Sequence, residues 1–427
     1  MRRSFVVTFC LSLLSVSLQA SPWIEADDPF LRSDLQQLAD SGLIRLPLNS
    51  FPLRWSLLAD QFSRIDPATL AAAQLQAYRN VQYRLDSERL GRGRSHLTLG
   101  WGSEGQAGLN GFGDALRSKY LITASHEEVG NGYAVRLSGG YRQSDDGSDR
   151  WHYDGSYAAV GWQDFSVSIG ALEHWWGPGW QQALAFGEQA KPLPAIALSY
   201  QNPAVGHLGS LFVETLLGKQ DNDVEADKLW ASRLAWRPLT WVQLGSSYKH
   251  WLGGDDQLKG QTGTNSGNGT WSADLRLASP LPAQGTGGLY GEVMADRQTE
   301  QRYRLLGVDA AWLLGGQSLR VVVEQQQSSG DDQVQPLWQH YDASISDAVL
   351  GKRLSSGGYL NFDGGQTLSL FWHHTSPADS DAYDAQVMQF ALPMLAGRVT
   401  TNLTHQNSDS STLNRWYGGV VYEFRFY

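Results

Sequence analysis

Apolar and polar side chains alternate along many short segments after about residue 92. In 317–326, Leu319, Val321 and Val323 alternate with residues that are polar except for Val322, and 366–374 repeats the pattern with leucine and tryptophan. A period of two indicates β-strands, because successive side chains of a strand point to opposite faces. Strands of about 10 residues with one apolar and one polar face are typical of outer-membrane β-barrels, in which one face meets lipid and the other a polar lumen.

The connections between these strands alternate in length. Long polar connections fall near 219–227, 252–270, 327–340, 375–383 and 406–414. Short connections lie between them, at 237–240, 314–317, 361–366 and 393–398. Outer-membrane barrels have short periplasmic turns and long outer loops. We therefore predict an all-β transmembrane β-barrel of roughly 14–18 antiparallel strands over 92–427, with its C-terminus in the periplasm.

Some positions do not follow this pattern. Val322 and Phe371 are apolar where the alternation calls for a polar side chain, and 341–357 fits either a strand pair or a folded loop.

The chain ends with Tyr422, Phe424 and Phe426 on one face, which resembles the assembly signal of outer-membrane proteins. Most of the 17 tryptophans are expected in the aromatic girdles at the two membrane interfaces.

Residues 21–91 have a helical pattern instead. Asp28 followed by Pro29 predicts a helix start, and Gly42 predicts its end. A second helix is predicted to begin at Asp66-Pro67 and to run to Gly91, with a third, short helix over 55–62 between them. Because so few residues can hardly bury a sufficient core alone, we expect this helical bundle to pack on the periplasmic side of the barrel.

The first 20 residues are typical of a signal peptide. Arg2 and Arg3 precede an apolar run over 5–18, and Ala20 is the expected cleavage residue. Cleavage there removes the single cysteine, Cys10, which suits an oxidising compartment. It also changes the formal net charge from −10 to −12, because two arginines are lost. A chain this acidic gives no reason to expect nucleic acid as a partner.

The densest aromatic stretch is Glu173-His174-Trp175-Trp176-Gly177-Pro178-Gly179-Trp180. Glycine and proline make a helix or a regular strand unfavourable here. Indole faces stack on the C–H faces of sugars, and planar polar side chains pair with sugar hydroxyls. We predict a carbohydrate-binding site formed by Glu173, His174, Trp175, Trp176, Trp180 and Lys191. The structural alternative is a buried loop that plugs or braces the lumen; the two roles do not exclude each other.

The sequence contains no recognisable catalytic set and no zinc-protease or nucleotide-binding motif. We therefore predict no enzymatic activity, no cofactor and no metal site. The leading hypothesis is a barrel that binds polysaccharide. A sugar-specific porin is the alternative, and an outer-membrane hydrolase is the third hypothesis. The long aromatic insertion at 173–195 favours a lumen that is not an open general pore.

The chain resembles the Wzi capsule-assembly family. The residues that carry the resemblance are the run 22–35, the Trp-Trp-Gly-Pro-Gly-Trp segment and Lys191-Pro192-Leu193-Pro194-Ala195. The resemblance implies a barrel of about 18 strands with an N-terminal helical bundle, and a lectin-like role without catalysis. It also implies capsular or other extracellular polysaccharide as a partner. Outer-membrane lipid and the polysaccharide export machinery are further candidate partners.

Overall fold

The structure is a computed structural model. It describes residues 23–89, 95–103, 111–113, 118–143, 149–187, 192–219, 228–252, 269–296, 301–329, 351–378, 381–408 and 414–426. The signal-peptide prediction and Lys191 lie outside these residues. None of the described helices is long and apolar enough to cross a membrane.

Three helices precede the barrel: α1 (Pro29–Asp40), α2 (Trp55–Phe62) and α3 (Ala72–Arg89). The Asp28 carboxylate caps α1 by accepting hydrogen bonds from the backbone N–H groups of Phe30 and Leu31. This cap and the start at Pro29 confirm the predicted helix start. The short helix over 55–62 is confirmed as well.

The prediction of one continuous helix from Asp66 to Gly91 was wrong. The segment begins with a 3-10 turn, Pro67–Thr69, and α3 starts only at Ala72. The break occurs because Leu70 has an extended backbone, with φ −81° and ψ 140°. The helix is therefore about 27 Å long rather than about 36 Å.

Four two-residue strands form two short antiparallel pairs, one within the N-terminal segment and one between that segment and the barrel interior. These are β1 (Trp23–Ile24), β2 (Ser50–Phe51), β3 (Leu53–Arg54) and β10 (Trp175–Trp176). β1 pairs with β3, and β2 pairs with β10. The second pairing joins the N-terminal segment to the tryptophan-rich loop that the sequence singled out.

The remaining strands form a closed antiparallel barrel. They are β4 (Ser95–Gly102), β5 (Tyr120–Val129), β6 (Tyr133–Gln143), β7 (Asp149–His152), β8 (Tyr157–Trp162), β9 (Phe165–Gly170), β11 (Ala195–Asn202), β12 (Ser210–Lys219), β13 (Lys228–Leu239), β14 (Val242–Leu252), β15 (Gly269–Leu281), β16 (Gly285–Asp296), β17 (Arg302–Leu314), β18 (Gln317–Ser329), β19 (Gly351–Asn361), β20 (Thr367–Pro377), β21 (Tyr383–Met394), β22 (Gly397–Ser408) and β23 (Asn414–Phe426). β7 and β8 both pair with β6, so they act as one interrupted strand. The barrel therefore has 18 strands, which confirms the predicted fold class.

The last strand, β23, pairs with β4 and closes the sheet. Closure leaves no open edge, as a lipid environment requires. The connections at one end are tight turns, such as Thr240-Trp241 and Gly315-Gly316, and we call this the short-turn end. By the usual orientation of outer-membrane barrels, we expect this end to be periplasmic. Residues 351–361 form β19, whereas 341–350 lie outside the described residues.

The two faces of the barrel wall differ as the alternation predicts. On β18, Val321 and Val323 are exposed, while Arg320 and Glu324 are buried in the lumen. Exposed tryptophans occur toward both ends of the outer surface, as expected for aromatic girdles. They are Trp101, Trp151, Trp162, Trp230, Trp241, Trp271 and Trp416.

Candidate functional site

The tryptophan-rich segment connects β9 to β11 and folds into the lumen. We call residues 171–187 the Trp loop. Its strand β10 pairs with β2, so that Trp175 lies opposite Phe51 and Trp176 lies opposite Ser50. The backbone N–H of Gly177 also donates to the carbonyl of Asn49, at 2.9 Å. The loop and the N-terminal segment are therefore joined by backbone hydrogen bonds inside the barrel.

Two carboxylates from the barrel wall hold this loop in place. Glu324 on β18 accepts hydrogen bonds from the backbone N–H groups of Trp180 and Gln181. Glu292 on β16 accepts from those of Leu184 and Ala185, each at 3.0 Å. Hydrogen bonds to an ionised acceptor are stronger than neutral ones. Each wall carboxylate thus holds two consecutive amides and fixes the backbone of the loop.

A cation of the protein itself fills the space between the aromatic rings. The Arg32 guanidinium on α1 lies 4.4 Å from the centroid of Phe112 and 4.3 Å from that of Trp180. It is also within 5.9 Å of the rings of Phe51 and Trp175. Guanidinium groups at such distances interact favourably with ring faces. We call these four rings and Arg32 the aromatic cage.

Arg32 has few other partners. Its Nη2 donates to the carbonyl of Pro178 at 3.1 Å, and no carboxylate lies within ion-pair distance among the described residues. Burial lowers the pKa of Arg32 to about 10, which leaves it charged at neutral pH. On β18, the Arg320 guanidinium approaches the same Trp180 ring, at 4.6 Å. Trp180 therefore interacts with two arginines rather than with an open binding surface.

The three predicted indoles are brought together, but they are enclosed. Trp175 and Trp176 have 0% of their surface exposed, and Trp180 has 1%. In this conformation no indole face is open to a sugar ring, because the cage and the barrel wall cover them. Stacking on a glycan would require the loop to move. The structural alternative, a loop that plugs and braces the lumen, accounts for these side chains as they lie here.

Glu173 is half-buried, and the His174 ring lies 5.7 Å from that of Trp176. His174 Nε2 is 3.0 Å from Glu214 Oε1 on β12, and its Nδ1 is 3.0 Å from the carbonyl oxygen of Leu172. The cavity beside His174 measures only about 10 Å³, which is about the space of one water molecule and far too small for a sugar. The predicted site residues thus form part of the interior packing, with Lys191 outside the described residues.

An ion network that the sequence did not single out attaches α1 to the wall. Arg276 on β15 donates to both Asp40 carboxylate oxygens, at 2.8 and 2.9 Å, and to Asp309 at 2.9 Å. Arg320 also pairs with Asp309, and its Nε donates to Ser33 Oγ at 2.8 Å. The network lies at the short-turn end, since Arg237 donates from Nη2 both to the carbonyl of Ala39 in α1, at 2.7 Å, and to the carbonyl of Thr240 in a short turn. The periplasmic placement of the helical bundle stays a prediction, since it depends on the orientation of the barrel in the membrane.

The two apolar residues that break the alternation have a packing role. Val322 and Phe371 face the lumen and belong to the buried cluster that contains Trp176, Trp180 and Phe30. They are apolar because they pack on the Trp loop and α1 rather than on water. Within the residues that the structure describes, no group of three His, Cys, Asp or Glu side chains is arranged to hold a metal ion.

The comparisons with known proteins agree with this architecture. A family model described as capsule assembly protein Wzi matches residues 91–344, more than half of the chain. The chain belongs to the Wzi capsule assembly family. A curated relative, an uncharacterized 55.8 kDa protein in the cps region of Klebsiella pneumoniae, is 25% identical over 264 residues. That alignment covers 58% of this Wzi-family chain and 51% of the relative, so it spans about half of the relative's length.

Solved structures share the barrel of this Wzi-family protein. Wzi of Escherichia coli, an outer-membrane protein involved in group 1 capsule assembly and described as a carbohydrate-binding β-barrel, has a TM-score of 0.80 and 18% identity. The alignment covers 95% of this chain and 100% of that one. OccK3 (OpdO) of Pseudomonas aeruginosa has a TM-score of 0.50 and 11% identity, covering 78% and 94%. At such identities the likeness establishes the fold alone.

Proposed function

We propose that this Wzi-family barrel binds capsular or other extracellular polysaccharide and holds it at the cell surface, without catalysing a reaction. Family membership supports a role in capsule assembly. The carbohydrate binding described for Escherichia coli Wzi, whose barrel has the same architecture, is consistent with a glycan as the ligand. Outer-membrane lipid surrounds the barrel in this proposal, and the polysaccharide export machinery is a candidate partner.

The braced interior is the observation that favours attachment over transport. A sugar-specific porin needs a path through its lumen. Here α1 and the Trp loop are tied to the wall by Arg276, Arg320, Glu292 and Glu324. Releasing such contacts during each transport event would leave buried charges without partners, which is costly. We therefore assign the interior a supporting role and place polysaccharide binding toward the outer end, where the sequence has its long polar connections.

The role of the predicted site residues follows from this assignment. Trp175, Trp176 and Trp180 support the fold of the interior, with His174 as their polar neighbour; direct stacking on the glycan stays a prediction for all three.

Trp176→Ala separates the two roles. Replacing a buried tryptophan by alanine typically costs about 3–5 kcal/mol, so the interior interpretation predicts reduced assembly or stability. Trp241→Ala is the matched control, because Trp241 is exposed in the short turn between β13 and β14.

The test uses encapsulated cells that lack the protein and are complemented with each variant. We expect the deletion to shift polysaccharide from the cell-associated to the released fraction, and the wild type to restore retention. Unchanged retention in the deletion strain would overturn the proposed function. A Trp176→Ala protein that assembles normally but loses glycan binding would instead assign the indoles to the binding site.

Single-channel recording tests the porin alternative. The braced interior predicts small or absent conductance steps for the purified protein in planar bilayers. Stable steps of nanosiemens size that are reduced by added oligosaccharide would favour the transporter.

A further inference from the structure

The interior contains a second region, which is open, whereas the aromatic cage is filled by Arg32. A cavity of about 290 Å³ lies between residues 25–30 and the wall strands β4–β6 and β21–β23. We call it the short-turn cavity, since its wall residues His96, Arg398 and Arg425 lie near the short-turn ends of their strands. Its volume is at the lower end of the range for small-molecule sites, roughly 300–1,000 Å³. It has space for one or two sugar rings.

The charged groups around this cavity largely neutralise one another. Arg136 pairs with Glu25 and Glu127. Arg425 Nε lies 2.6 Å from Glu423 Oε1. A fully ionised ligand, such as a phosphate, would be repelled by these carboxylates while it is attracted by the guanidinium groups. The balance favours a neutral ligand that both donates and accepts hydrogen bonds.

Asn402 provides an independent observation that points to a ligand. It lines the cavity from β22 and is only 4% exposed. Its Oδ1 has no hydrogen-bond donor among the described residues. Buried amide oxygens nearly always have a donor, and a sugar hydroxyl is a suitable one. Gln389 supplies a second amide, while Phe30 and Pro29 form an apolar surface that suits the C–H face of a sugar.

We propose that the short-turn cavity is a binding site for a neutral saccharide of one or two rings. The inference rests on the proposed function, because it takes the ligand class from polysaccharide handling. It adds a site on the periplasmic side, separate from the outer surface to which we assign polysaccharide attachment. Rotation of the Asn402 side chain turns its enclosed Oδ1 to accept a sugar hydroxyl, and Arg398 donates to another sugar oxygen. Arg398 is placed for this role by the hydrogen bond from its Nη2 to Thr367 Oγ1, at 2.7 Å.

The test uses the full protein purified in detergent, with glucose, galactose, mannose and lactose as neutral probes. Glucuronate and inorganic phosphate are the charged probes. Saturation-transfer NMR and calorimetry measure binding to wild type, Asn402→Leu and Arg398→Gln. Gln406→Leu is the matched control, because it removes an amide from the same strand β22 outside the cavity lining. We expect a neutral probe to bind, with at least tenfold weaker affinity in both cavity variants and no change in the control.

Three results would overturn the site: no neutral probe binds the wild type, only a charged probe binds, or the cavity variants bind as well as the control. If Asn402→Leu fails to assemble, Arg398→Gln decides alone, because it alters a half-buried side chain. Retention of polymer on cells is measured in parallel. If the wild type retains polymer on cells but binds no saccharide probe, only the proposed cavity site is contradicted. If the deletion strain retains as much polymer as the wild type, the proposed function is contradicted.

Discussion

The aromatic cage and the short-turn cavity use similar side chains, but their contents differ. In the cage, Arg32 lies against Phe112 and Trp180 at 4.4 and 4.3 Å, and the indoles have no open face. In the cavity, Asn402 keeps an amide oxygen without a donor among the described residues, beside about 290 Å³ of space. A cluster of aromatic and polar residues is therefore a candidate ligand site only where the protein's own groups leave it unfilled.

Removing a charge from the ion network that fixes α1 should have the largest effect. Asp309 pairs with both Arg276 and Arg320, and its side chain is fully buried. Asp309→Asn leaves two buried guanidinium groups undercompensated, so we expect about 3–5 kcal/mol of lost stability. The measurement is the temperature at which the folded barrel loses its compact gel mobility, together with protease cleavage within α1.

Asp384→Asn is the control for this variant. Asp384 pairs with His374 on the outside of the barrel, and its side chain is 52% exposed. Exposed pairs contribute at most about 1 kcal/mol. Equal effects of the two substitutions would mean that the interior network does not hold α1.

Weakening one of the wall carboxylates should release the Trp loop locally. Glu324→Gln removes the charge that accepts from the backbone amides of Trp180 and Gln181. Hydrogen bonds to a charged group contribute about 1.5–3 kcal/mol, so amide exchange in the Trp loop should become at least about tenfold faster. Hydrogen–deuterium exchange measures this, with the exposed neighbour Gln325→Ala as control. Unchanged exchange in the loop would contradict the bracing role.

Emptying the aromatic cage should have a smaller effect. Arg32→Met removes the cation and its hydrogen bond to Pro178 but keeps an unbranched side chain in the cage. The loss of cation–π contacts, at about 0.5–2 kcal/mol, is partly offset because a buried charge no longer has to be desolvated. We expect about 1–2 kcal/mol of lost stability and a change in tryptophan fluorescence. Arg45→Met, at an exposed position, should change neither; a similar change there would contradict the cage.

The last effect depends on pH and develops gradually over several pH units. Burial raises the pKa of Asp34 to about 7, from a usual value of 3.8, although Asn80 Nδ2 donates to its carboxylate. The docked state of α1 therefore binds more protons than the undocked state between these two values. Docking should be strongest below the lower value and weaken as pH rises toward 7, by at most about 1.4 kcal/mol per pH unit.

Asp34→Asn should remove this dependence and make docking relatively stronger at pH 8 than in the wild type. Protease cleavage of α1 at pH 5 and pH 8 measures it. A wild-type protein whose cleavage is the same at both pH values would contradict the raised pKa.

Much of the fold follows from local patterns in the sequence. The alternation on β18 predicts its lipid and lumen faces, and Asp28-Pro29 predicts the start of α1, because both signals depend on neighbouring residues. The break at Leu70 was missed, because the helical periodicity continues through a residue whose backbone is extended.

The site was harder to predict because it depends on distant partners. Arg32 and Trp180 are far apart in sequence, and periodicity carries no information on their contact. Val322 and Phe371 held the clearest signal, since apolar residues on a polar face indicate that something packs inside the barrel. The short-turn cavity had no comparable signal, because it is formed by residues from six wall strands and the N-terminal segment.

The accessibility of individual tryptophans tests the central claim most directly. Hydroxyl-radical footprinting with mass spectrometry is carried out on the protein with and without its polysaccharide, with Trp151, 83% exposed, as the reactive reference. We expect Trp175, Trp176 and Trp180 to remain unmodified in both states, because Arg32 and the barrel wall cover them. Modification of these three residues in the free protein, with protection when polysaccharide is added, would contradict the account and assign them to the glycan site.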